Sequence, residues 1–145
     1  MSRPMMRRTE APVVPEETMT IAVSDYSHQA YLLLLFGFGV APIIAGLDKF
    51  FHVLVDWTGY LAPVVPRMIG IDATTLMMIV GMIEIVAGIL VLAKPKYGGW
   101  VVAIWLWGII ANLLLIPGFY DIALRDFGLS LAAVALARLS CEFDA

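Results

Sequence analysis

The segment ATTLMMIVGMIEIVAGILVLA, Ala73 to Ala93, holds twenty-one residues and a single charge, Glu84, close to its midpoint. A helix of about 20 apolar residues spans the hydrocarbon core of a bilayer. The segment therefore reads as a membrane span, and Lys94-Pro95-Lys96 stops it. Working outward, Tyr97 to Tyr120 is uncharged, contains one amide, Asn112, and is broken by Pro117-Gly118. On the other side, Tyr31 to Leu47 is uncharged and ends at the Asp48-Lys49 pair. Pro42 lies inside that run, which a membrane helix tolerates when its neighbours satisfy the freed carbonyl.

Composition agrees. Of 145 residues, 61% are apolar and only 14% are charged; mean hydropathy is +0.91. Soluble domains carry nearly twice that charged fraction. An ordinary cytosolic enzyme and a disordered protein are excluded. The net charge of −3 offers no basic field for a nucleic acid. The lone cysteine, Cys141, forms no internal disulfide or dithiol pair, and reads as a free thiol without a role. With two histidines beside it, a metal site is not expected.

The C-terminal part is harder to read. Eleven uncharged residues separate Asp126 from Arg138, about 16 Å of helix, half of what a span needs. A span here must begin near Asp121 and carry Arg125 and Asp126 into the membrane. Residues 127–139 are apolar on all faces, unlike a surface-lying helix, which favours a fourth span over an interfacial helix. The fold expected is all-α: a polytopic four-transmembrane-helix bundle over residues 30–140. Residues 1–29, with three arginines, three prolines and paired glutamates, are expected to be a polar tail, disordered or else docked along a partner. Ser24, Asp25 and Ser27 are candidate N-caps for the first span. Residues 53–72 read as a loop with a short interfacial helix, and Trp57 and Tyr60 there, like Trp100 at the other end, suit the membrane interface. Six basic residues against three place both termini in the cytoplasm; the membrane expected is a bacterial inner membrane.

Depth carries the functional information. Four antiparallel spans bring Asp48, Lys49 and His52, then Glu84, Asn112, and Asp121, Arg125 and Asp126 into one zone between the midplane and the outer surface. An Asp or Arg at a membrane helix centre costs roughly 2.5–3.5 kcal/mol on insertion scales. Pairing inside the bundle is the cheapest arrangement. Asp48 and His52, and Asp121 and Arg125, stand four residues apart and can pair. Asp121 equally suits an N-cap, and Asn112 an interhelical hydrogen bond. Gly81, Glu84 and Gly88 share a face, as do Trp105, Gly108 and Asn112, and Asp126, Ser130, Ala133 and Ala137. Gly37, Ala41 and Ala45 give the first span a small-residue strip for helix packing.

Three stretches carry a resemblance. FGVAPIIAGLDKF (38–50) has a glycine-containing helix that ends in Gly-x-x-Lys-Phe; GMIEIVAG (81–88) has Gly-x-x-Glu-x-x-x-Gly; RDFGL (125–129) has an Arg-Asp step before an Ala/Leu-rich run. In this order they resemble the DoxX-like family of small membrane proteins, across residues 31–139. The resemblance implies a four-helix bundle and similarity to a small subunit of a thiosulfate:quinone oxidoreductase. It transfers Lys49, Glu84, Arg125 and Asp126 as motif positions, with no catalytic role attached.

The function expected is a non-catalytic integral-membrane subunit of a redox assembly, with a quinone at a shared pocket as the one cofactor implied. Its partners would be the lipid bilayer and other membrane or redox subunits. A structural assembly subunit with no ligand site and a small proton-coupled transporter are the alternatives.

Overall fold

A computed structural model describes the backbone of residues 11–143, and the side chains there except those of residues 21–24. The described residues are helical, joined by short connections. Helix α1 runs Glu16–Phe51, α2 Val64–Ile69, α3 Ala73–Ala93, α4 Pro95–Leu114 and α5 Tyr120–Phe143; a 3₁₀ turn covers Trp57–Tyr60. Three of them, α1, α3 and α4, are long and apolar enough to cross a membrane. Helix α5 is as long, at 24 residues, but carries Asp121, Arg125 and Asp126 in its first two turns.

Helix α1 corrects the reading of the tail. It begins at Glu16, behind Pro15, and runs 36 residues without interruption. Residues 16–29 are therefore helical, and Ser24, Asp25 and Ser27 lie within the helix and not at its N-terminus. Met1–Glu10 lie outside the described residues. Glu16 and Glu17 suit the positive end of the helix dipole. About three to four turns beyond that start, rings join α1 to α5: His28 lies 5.0 Å and Tyr31 5.5 Å from the Phe143 ring at the far end of α5. At its other end α1 stops where His52 turns left-handed, at φ 52°, its N–H on the Asp48 carbonyl.

Two helix pairs make the body of the protein: α1 packs along α3, and α4 along α5. Glycine sets the first pairing. A Cβ built on Gly81 would stand 2.7 Å from the Gly46 carbonyl oxygen, and one on Gly88 2.5 Å from that of Gly39. No side chain fits between the backbones at these crossings. Gly99 plays the same part between α4 and α5, where a Cβ would meet the Ala133 carbonyl at 2.8 Å. The strip expected to pack was the neighbouring one, Gly37, Ala41 and Ala45. It does not close on a helix; a Cβ on Gly37 would meet nothing within 4 Å, and all three residues line a cavity. Gly39 and Gly46 do the packing, because the α1–α3 contact falls on their side of the cylinder.

Of the faces read from the sequence on the other helices, those of α3 and α5 are buried, whereas Trp105, Gly108 and Asn112 on α4 are part-buried or exposed and line the cavity. Gly81, Glu84 and Gly88 are buried on α3, and Asp126, Ser130, Ala133 and Ala137 on α5. Outward positions are large and apolar: Ile104 is 70% exposed and Leu124 72%. Such a surface is stable in acyl chains and not in water.

Candidate functional site

The cavity encloses about 890 Å³ between α1, α3, α4 and α5, beneath the segment that joins α1 to α3. Its walls are mostly apolar, with Lys49, Glu84, Asn112, Arg125 and Asp126 as the polar and charged members. These five come from four different helices. Apart from the adjacent Arg125 and Asp126, only the tertiary fold connects them.

Lys49 and Glu84 form the centre. The Lys49 Nζ donates to Glu84 Oε2 at 2.5 Å, with side chains 4% and 10% exposed. The acid nearest the middle of a span thereby meets an ammonium group across the helix crossing. Lys49 reaches it because a helical side chain leans back toward the helix N-terminus, from the end of α1 toward the middle of α3. The ammonium also lies 3.9 Å from the centre of the Trp57 ring, a cation–π contact.

Asp48 and Asn112 act on the connecting segment. The Asp48 carboxylate accepts the N–H groups of Val53 at 2.9 Å and Leu54 at 3.1 Å, and the Trp57 indole N–H at 2.7 Å. Its expected partner, His52, is instead exposed at the end of α1, where the left-handed turn carries it away. Asn112 holds the other end: its Oδ1 accepts the Ala62 N–H at 2.9 Å and its Nδ2 donates to the Tyr60 carbonyl at 2.6 Å. The amide thus pins a loop rather than bridging two spans. Between the clamps, Trp57 and Tyr60 face inward and line the cavity, whereas Trp100 stands half-exposed on α4. The segment is a roof fastened at both edges.

Two acids outside the helices order the roof and the entry into α3. Hydrogen bonds from the Thr58 hydroxyl and N–H hold the Asp56 carboxyl below its usual range. The Thr75 N–H and hydroxyl do the same for Asp72, which caps α3.

Arg125 pairs with its neighbour and not with Asp121. Its guanidinium lies 3.4 Å from Asp126 Oδ1, with the Arg125 side chain 67% exposed and that of Asp126 7%. Asp121 is exposed in the first turn of α5. Helical geometry allowed the Asp121–Arg125 pair; the inward position of Asp126 draws the guanidinium to the cavity side. Arg125 is exposed and yet lines the cavity, so it stands at an opening. Gly37 and Ala41 on α1 and Leu129 on α5 share both properties. The cavity opens sideways between α1 and α5, through an apolar flank.

One further group was not singled out as a site from the sequence. Trp105 lines the cavity, and its indole N–H is the one buried side-chain nitrogen or oxygen without a partner among the described residues. Its shared face with Asn112 was the available signal. Among the described residues no three His, Cys, Asp or Glu side chains come together to hold a metal ion. No family model matches the chain, and no curated protein or solved structure matches it.

Proposed function

We propose that the chain is a four-span subunit of a membrane redox assembly, of the DoxX-like kind its motifs resemble, and that its cavity receives the head of a lipid-soluble quinone. The observation that carries this reading is the buried Lys49–Glu84 pair on the wall of a cavity of about 890 Å³ that opens through an apolar flank. Ion pairs inside an apolar bundle cost several kcal/mol in desolvation, and apolar residues of similar size are often as stable. A polar group retained at membrane depth reads by default as functional. Pockets for small lipophilic molecules have this composition: apolar walls and a few convergent polar groups.

In this reading α5 is the fourth span. Its charged first turns are tolerated because Asp126 is inside and Arg125 stands at the cavity mouth. The helical roof lies at the outer interface, and both termini face the cytoplasm of a bacterial inner membrane. Electrons would come from a partner subunit. Purification of the native complex in mild detergent tests this, with organic extraction of bound lipids. Co-purifying redox subunits and extractable quinone are expected. A chain that runs alone and carries no quinone overturns the proposal and leaves a scaffold protein.

A further inference from the structure

We infer that the occupant of the cavity is the reduced, hydroxyl-bearing form of such a ring, a quinol rather than a quinone, with its hydroxyls donating to Glu84 and Asp126. This deepens the reading above and rests on it.

The argument is one of unmet hydrogen bonds. Glu84 is 8% exposed and Asp126 5%. Lys49 engages only Oε2 of Glu84, and Arg125 approaches only Oδ1 of Asp126. Among the described residues nothing donates to Glu84 Oε1 or to Asp126 Oδ2. Both carboxylates line the cavity. Neither oxygen is sealed into protein, since among the described residues the one sealed and unpartnered side-chain nitrogen or oxygen is Trp105 Nε1. A carboxylate oxygen in apolar surroundings needs a donor, and a hydroxyl-bearing occupant of the cavity supplies one.

A quinone carbonyl only accepts; it can take an N–H from Lys49 or Trp105, but it offers nothing to the two carboxylate oxygens. A phenolic hydroxyl donates to a carboxylate and still accepts from an ammonium such as that of Lys49. Charge points the same way. Lys49 and Arg125 balance Glu84 and Asp126, so the walls are formally neutral and favour an uncharged donor over a cationic amine. The apolar walls that continue inward along α1, past Phe38 and Leu34, provide space for the apolar tail, and the sideways opening lets it enter from the bilayer.

Binding to the full chain in lipid nanodiscs tests this, with decyl-benzoquinol kept reduced, decyl-benzoquinone and dodecylamine as probes. The quinol should bind at least about tenfold more tightly than the quinone, a difference of about 1.4 kcal/mol. Glu84→Gln and Asp126→Asn each place an amide N–H where an acceptor stood, so each should reduce that preference to about unity or reverse it. Thermal unfolding confirms that these variants fold. Ala41→Phe, which fills the cavity from an open position, should abolish binding of both rings. Equal affinity for quinol and quinone, an unchanged preference in both carboxylate variants, or tighter binding of dodecylamine overturns the inference. Quinone binding that Ala41→Phe abolishes, without any quinol preference, leaves the cavity reading intact and removes only this step. Failure of every probe to bind the wild type overturns both.

Discussion

At the scale of the residue, the Lys49–Glu84 pair dominates. It is nearly dry, so its worth depends on both partners being present. Removing one partner of a buried pair typically costs about 3–5 kcal/mol, because the other charge is stranded, while replacing both with apolar residues is often neutral. Lys49→Met or Glu84→Met alone should therefore lower the unfolding free energy in detergent by about 3–5 kcal/mol. The Lys49→Met/Glu84→Met double variant should regain most of that loss and still bind no ring. If the double variant is as unstable as either single one, the pair contributes stability that packing cannot replace. Asp48 shows why side-chain pairs were only partly legible. Spacing places Asp48 and His52 on one face, but the backbone leaves the helix at His52. The carboxylate then sits beside three N–H donors that outcompete an imidazole on a diverging chain.

At the scale of the element, α1 does two jobs on adjacent strips. Gly39 and Gly46 meet α3 backbone to backbone, and Gly37, two positions away, looks into open space. Overpacking a tight contact typically costs about 1–3 kcal/mol, whereas glycine to alanine at an unstrained helical site gains up to about 1 kcal/mol. Gly81→Ala should thus destabilise the protein by about 1–3 kcal/mol, and Gly37→Ala should be neutral or mildly stabilising. Thermal unfolding of the two variants in the same detergent compares them. A harmless Gly81→Ala would show that α1 and α3 can separate without loss. Both strips consist of small residues at helical spacing, so the sequence alone could not tell a packing face from a cavity wall. The difference depends on the angular position of the partner helix, which no residue of α1 encodes by itself.

At the scale of the whole molecule, an apolar exterior surrounds a polar interior that is concentrated under one end. The side on which each terminus lies follows from the number of spans. With α5 crossing, the two termini share a compartment; with α5 lying at the surface, they are opposed. Cys141 is the sole cysteine of the chain and is exposed near the end of α5, which makes it a native reporter. An impermeant maleimide should label Cys141 in inverted inner-membrane vesicles and not in intact spheroplasts, and a protease should reach a tag on the N-terminus from the same side. Labelling of Cys141 from the outside, with the N-terminal tag inside, would reduce the spans to three.

The sequence by itself determined that this is a helical protein for an apolar solvent, where its three strongest spans lie, and which ionisable groups could not all face lipid. These properties follow from composition and local length, because the cost of placing charge in hydrocarbon is incurred residue by residue. Only the tertiary structure decided which of those groups meet. Lys49 finds Glu84 across thirty-five positions of chain, Asn112 finds the roof fifty positions away, and Asp126 rather than Asp121 takes Arg125. Such pairings are fixed by where helices cross and how each is rotated about its axis. That depends on the close approach of glycines on two chains of packing, and so on the whole bundle at once.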